Sequence, residues 1–321
     1  MINCTFYHDY LGKEIIDVFT SIMVKSEPCF VGRIGGSDFE VVNNYFNDKN
    51  SFIPENTAYE SLRVRTLNGY FDFDNRHDVF IKYLERMGQC YREMEYCFYA
   101  GAFHIGSFSN LVKFNKTPAD PFLYEILDGK IAMNYTFVEG LTGFLNSFKT
   151  WGEGKRILIV SPFSESLQYQ YTRLPNILIN YTFPNFDLVT YNTNITYNFF
   201  KDTKEFLGVN TNNWHEECDA ISAGISKLDF DIALLSCGGY SMPVGNYIDK
   251  VMKRKAVYLG GILNVMFNIY GKRYDTTFFN SLVNREYQIT SIENDKVFKA
   301  MDGNEFRTEA FNAYFGRKPN V

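Results

Sequence analysis

Along this chain, short apolar runs alternate with longer stretches in which apolar residues recur every three or four positions. Arg156-Ile-Leu-Ile-Val-Ser161, Phe186-Asp-Leu-Val-Thr-Tyr191, residues 231–236 and residues 255–259 have the length and near-continuous apolarity of strands buried on both faces. The stretches that follow them predict helices over 164–173, 213–227, 242–252 and 262–269. The first half reads the same way, less regularly. A helix over 11–24 lines up Leu11, Ile15, Ile16, Phe19 and Ile22, and strand 28–33 runs into a helix from Ser37 to about Tyr45. Residues 53–92 predict two helical pieces broken near Asn68-Gly69, residues 97–100 and 131–134 two strands, and residues 137–148 an apolar helix. Strand followed by helix, repeated, predicts an α/β fold: a mainly parallel, Rossmann-like sheet with helices on both faces. One domain over 1–321 is expected, with a subdivision near the turn Trp151-Gly-Glu-Gly-Lys155. A polar C-terminal extension, 276–321, is expected to add a strand or helix that closes one edge.

Glycines gather where the strands end, as they do where an open sheet builds a ligand crevice. In Arg33-Ile-Gly-Gly-Ser-Asp-Phe-Glu40, Gly35 and Gly36 permit a sharp turn and close approach to a ligand. Ser37 and Glu40 have the spacing of a capping box, so a helix starts at Ser37 and Asp38 falls in its first turn. There Asp38 either complements the helix dipole or binds a metal–diphosphate or a sugar hydroxyl. Ser164 is placed to cap the helix after Ser161-Pro-Phe, whose free N–H groups suit a phosphate. Glu165 is then either another dipole-complementing acid or a general base. Asp231-Ile-Ala-Leu-Leu-Ser-Cys-Gly-Gly-Tyr-Ser-Met-Pro-Val-Gly245 places Gly238, Gly239 and Tyr240 after a strand, with Ser241 in capping position. Gly245, inside the following helix, implies close approach of a neighbouring element or a ligand. Gly260 and Gly261 end the next strand, and Lys272 and Arg273 follow its helix, either as surface charges or as a phosphate clamp.

Composition narrows the classes. Of 321 residues, 45% are hydrophobic and 17% aromatic, enough for a large core. The net charge of −5, with no basic block beyond Lys253-Arg254-Lys255, argues against nucleic acid as a partner. No membrane-length apolar segment and no secretory leader is evident. Six cysteines without a CxxC pair favour a reducing compartment, with Cys29 and Cys237 as buried thiols. His8, His77, His104 and His215 show no zinc spacing, and no GxGxxG, Walker A or GxSxG motif is present.

With these motifs the chain resembles the GT-D-type glycosyltransferases, a group with bacterial and viral members. The matching pieces are Gly32-Arg-Ile-Gly-Gly-Ser-Asp38, Ile157-Leu-Ile-Val-Ser-Pro-Phe-Ser164 with Gln170-Tyr171, Asp231 to Tyr240 with Pro243, and Lys255 to Tyr274, in order over about 28–275. The resemblance implies transfer of a sugar from a nucleotide-sugar donor to a glycan hydroxyl, in a cytoplasm (bacterial or of a virus-infected cell). On this reading the candidate catalytic carboxylates are Asp38 and, from its place in the helical turn after the strand-like run 156–161, Glu165. Donor contacts would come from Arg33, Gly35, Gly36, Ser37, Ser164, Gly238, Gly239, Tyr240, Gly245, Gly260, Gly261, Lys272 and Arg273. The better-studied branch carries an Asp-x-Glu site for Mn²⁺ or Mg²⁺. Here Gly36 stands at the first acid and Asp38 at the second, while a slipped frame gives Asp38-Phe-Glu40. A noncatalytic nucleotide-sugar or glycan-binding protein on the same scaffold is the alternative.

Overall fold

The apolar runs at 156–161, 232–235 and 255–258 form strands covered on both faces, while the run at 187–192 forms a half-buried edge strand. The computed structural model describes residues 4–7, 13–35, 37–99, 121–135, 138, 141–196, 204 and 208–293. Its strands are β1 (Thr5–Tyr7), β2 (Cys29–Ile34), β3 (Tyr96–Tyr99), β4 (Ile131–Asn134), β5 (Arg156–Ser161), β6 (Asp187–Asn192), β7 (Ile232–Leu235) and β8 (Lys255–Tyr258). They make one eight-stranded sheet in the order β1-β4-β3-β2-β8-β7-β5-β6, with every described pairing parallel. The turn at 151–155 therefore leads into a strand of the same sheet that holds β2 to β4.

Helices α1 (Lys13–Val24), α6 (Thr142–Trp151), α7 (Ser164–Tyr171), α8 (Leu174–Ile177) and α11 (Ile262–Met266) pack on one face, around Phe19, Phe144, Phe148 and Trp151. The other face carries α2 (Ser37–Asn47), α3 (Pro54–Asn68), α4 (His77–Glu93), α5 (Pro121–Leu127), α9 (Trp214–Ile225) and α10 (Ser241–Lys250), around Phe39, Tyr83, Tyr91 and Trp214. Side-chain alternation sorts the strands between these cores: in β2, Phe30 and Ile34 face one and Cys29 and Val31 the other. Connections that step toward the β1 edge use the α2 face, and those that step toward the β6 edge use the α1 face. A single crossover hand requires that division.

The described part of the segment after 276 holds a short helix, α12 (Thr277–Leu282), tied down by isolated bridges, Leu178 with Val283 and Ile269 with Ile289; residues 294–321 of the expected extension lie outside the described residues. One sequence expectation changes. The helix after β8 stops at Met266 rather than 269, since Asn268 turns into the left-handed region at φ 54°. Lys255, the end of the basic block, is buried, and its ammonium donates to the carbonyls of Ile22 (3.1 Å) and Glu27 (2.8 Å). Cys29 and Cys237 are buried thiols as expected, and burial pushes them up to about 11 and about 12 respectively. Among the described residues no helix is long and apolar enough to cross a membrane.

Candidate functional site

A parallel sheet opens crevices at its carboxyl edge where neighbouring strands send their helices to opposite faces. Strands β2 and β8 are neighbours; β2 leads to α2 on one face and β8 to α11 on the other. The residues at this junction form the best-defined site.

Arg33, the penultimate residue of β2, holds its guanidinium over the Tyr135 ring at 4.1 Å and near the Tyr258 ring at 5.8 Å. Tyr135 follows the end of β4, and its hydroxyl donates to the Leu259 carbonyl just past β8. Two glycines make room. Gly35 has φ 130° and Gly260 φ 62°. A Cβ on Gly260 would sit 3.1 Å from Arg33 Nη1 and 3.6 Å from the Tyr135 hydroxyl. Gly261 occupies the N-cap position of α11.

Asp38 closes the other wall. It lies in the first turn of α2, as the capping pattern implied, and only 4% of it is exposed. Burial raises its carboxyl above the usual range, opposed by Arg33, the Phe39 amide, its own amide and the Tyr91 hydroxyl. Tyr83 and Tyr91 of α4 are fully enclosed, and the Asp38 charge adds to the burial that pushes both phenols up. The result is a carboxylate and a guanidinium within electrostatic reach, beside phenols, at the carboxyl ends of neighbouring strands whose helices part. Such a pair can receive a diphosphate on the cation and a hydroxyl on the carboxylate.

The residues fit a two-carboxylate metal centre poorly. Asp38 and Glu40, two apart on α2, diverge: Asp38 points inward, and Glu40 accepts from Arg63 of α3. Among the described residues no group of three His, Cys, Asp or Glu side chains converges to hold an ion. His8 and His104 lie outside the described residues, as do Gly36 and the Ser37 side chain.

At β5 the chain fills its own anion position. Phe163, not Ser164, takes the N-cap position of α7, and the Ser164 hydroxyl donates back to the Ser161 carbonyl at 3.2 Å. The first turn is met by Glu293. This buried carboxylate accepts from the Ser166 amide at 3.0 Å and from the Ser166 hydroxyl, which also receives the Ile292 amide at 2.8 Å. Glu165 is exposed in the same turn.

The turn after β7 is built for packing. Gly238 has φ 61°, and a Cβ on Gly239 would lie 2.8 Å from the Asn68 carbonyl oxygen. Tyr240, the N-cap residue of α10, stacks on Trp214 at 5.7 Å and shares a 3.0 Å hydrogen bond with Thr196. Ser241 lies inside the helix and accepts from the Cys237 amide at 3.2 Å, so it is not the cap. Gly245 lies against β2: a Cβ there would fall 2.2 Å from the Phe30 ring. The close approach that the sequence implied at Gly245 is that of a neighbouring element.

Lys272 is exposed on a short turn after Gly271, and the Arg273 side chain lies outside the described residues. Their segment packs at the far end of α7. Gln170 donates to the carbonyls of Asn268 (3.1 Å) and Tyr287 (2.9 Å), and the Asn284 amide donates to Ile177. Because α7 begins at the carboxyl edge and runs away from it, the described contacts do not bring Lys272 to the crevice.

Sequence reasoning picked out Arg33, Gly35, Asp38 and Gly260, which the fold brings together. It missed Tyr135, Tyr258, Tyr83, Tyr91 and Glu293. Tyr135 carried one usable signal, its place directly after a strand. No family model matches this chain, and no curated protein or solved structure gives a significant match.

Proposed function

We propose that this chain is a glycosyltransferase that takes a sugar from a nucleotide-sugar donor and delivers it to a hydroxyl of a glycan or glycoconjugate, on a GT-D-like scaffold. The α/β Rossmann-like frame is a type that often serves nucleotide-binding enzymes. The single observation that carries the reading is buried Asp38 within electrostatic reach of Arg33 where β2 and β8 part their helices. In this reading the donor diphosphate lies along Gly35, Gly260 and Gly261, and Arg33 offsets the charge that grows on the leaving nucleotide. Asp38, raised by burial, is a stronger base than an exposed carboxylate and takes the proton of the acceptor hydroxyl or orients the donor sugar. No step is routed through a metal ion, because Glu40 is committed to Arg63.

The alternative, a noncatalytic binder of nucleotide-sugars or glycans, draws on one observation: Gly36 stands where the better-studied branch has its first acid. Sugar release and transfer assayed across UDP-, GDP- and dTDP-sugars with a mixed panel of glycan acceptors separates the two. Transfer or donor hydrolysis that disappears in Asp38→Asn supports the enzyme. Donor binding without turnover supports the binder.

A further inference from the structure

A cleft of about 160 Å³ opens between α3 and the start of α4, apart from the β2–β8 crevice. Thr57, Ser61, Arg65, Tyr70, Arg76 and His77 line it. This is well short of the roughly 300 Å³ or more of a nucleotide-sized pocket, so the cleft suits a small group.

Its chemistry is that of an oxyanion site. Helix α4 is 17 residues long and its N-cap residue, Arg76, makes no side-chain cap, so its first-turn amides lack that acceptor beside the cleft that Arg76 and His77 line. Thr57 donates its one hydroxyl proton to the Pro54 carbonyl at 3.0 Å. The Thr57 hydroxyl also lies 2.9 Å from His77 Nδ1. Arg65 reaches across to donate to Asn75 Oδ1 at 2.6 Å, and Arg76 is paired with Asp72 at 3.0 Å and Asp74 at 3.6 Å. Asp78, the remaining nearby acid, pairs with Lys82 at 3.6 Å. Tyr70 supplies an independent pointer. It is only 2% exposed and packs on Phe80 and Tyr83 at 5.3 and 5.0 Å, yet its hydroxyl makes no hydrogen bond among the described residues. A phenol at the wall of a polar cleft, within electrostatic reach of Asp72, Arg65 and Arg76, offers a hydroxyl donor to a ligand there.

We infer that this cleft binds a small oxyanion, inorganic phosphate or the terminal phosphoryl group of a larger ligand. The inference does not rest on the sugar-transfer reading. Tyr70 packs on Tyr83, and Tyr83 feels the Asp38 charge, so an occupied cleft adjoins the crevice through one ring.

The test is a titration of the full chain with inorganic phosphate and, separately, glycerol phosphate, against chloride at matched ionic strength. The readout is the backbone amide signals of His77, Asp78 and Val79. Saturable shifts with either phosphate and none with chloride are expected, and tighter binding of glycerol phosphate would mark the carried group as the ligand. Arg65→Gln should weaken binding at least tenfold and Tyr70→Phe, which keeps the ring packing, at least threefold. Arg33→Gln should titrate like the wild type, since it lies in the other crevice. Chloride-like behaviour in the wild type would overturn the inference, as would loss of the response in Arg33→Gln. If Arg65→Gln does not fold, Tyr70→Phe decides alone: wild-type binding in that variant overturns the site.

Discussion

Asp38 combines two properties that oppose each other in a resting protein, full burial and a formal charge. Burial outweighs Arg33 and the local donors, so its folded-state pKa lies above that of the unfolded chain. A group raised in this way contributes stability below its unfolded pKa and loses it as pH rises through the folded pKa. Asp38→Asn should therefore melt at or above the wild-type temperature near neutral pH, and the two curves should converge as the medium is acidified. If the ionised form acts, the transfer rate should climb with pH along one limb lying above the ordinary carboxylate range, and Asp38→Asn should lose about 10²-fold or more. A variant that is slow and also markedly less stable at neutral pH would assign Asp38 to folding instead. Gly260 is the second residue whose role is local. Alanine there must hold a left-handed conformation, at a cost of roughly 1–2 kcal/mol, and it crowds Arg33 Nη1. Calorimetry of Gly260→Ala should show both a lower melting point and weaker donor binding; a stability loss with unchanged donor affinity would remove Gly260 from the site.

At the scale of elements, glycine and acid positions divide into those that build the crevice and those that fasten helices. Gly245 brings α10 onto Phe30 of β2, so Gly245→Ala overpacks that contact by about 1–3 kcal/mol. Denaturant unfolding should register the loss while donor affinity of the folded protein stays within about twofold. Glu293 fastens α7. Glu293→Ala leaves the Ser166 amide and hydroxyl without their acceptor, a loss of about 1–3 kcal/mol that amide exchange at Ser166 would report as faster opening. Unchanged exchange would mean that the bond contributes little. These partners show where reading the sequence ran out. The strands were legible because continuous apolar runs such as 156–161 carry their own signal. Gly245 was legible as a close approach, but its partner, Phe30, is far away along the chain. Glu293 gave no sign, since nothing local distinguishes it from a surface acid. The three-residue edge strand Thr5–Tyr7 was missed because it pairs on one side only and is too short for a pattern.

At the scale of the molecule, the order of strands makes the site. Strands β2 and β8 lie far apart in sequence, and their adjacency places Arg33, Gly35 and Asp38 beside Gly260 and Gly261. Periodicity gave the parallel α/β class but not this order, so three glycine sites looked equivalent in the sequence. In the fold, the α7 start holds Glu293 and the β7 turn holds its own packing, which is why the β2–β8 junction is the one proposed for the donor. The most direct test is calorimetric titration of UDP-, GDP- and dTDP-sugars, and of the matching nucleosides, into the wild type, Arg33→Gln and Lys272→Ala. One donor class should bind the wild type, and Arg33→Gln should weaken it on the order of 10- to 100-fold, the equivalent of one charged hydrogen bond. Nucleoside binding should change little, and Lys272→Ala should bind like the wild type. Absence of binding by every donor, or wild-type donor affinity in Arg33→Gln, would contradict a donor site at the β2–β8 junction.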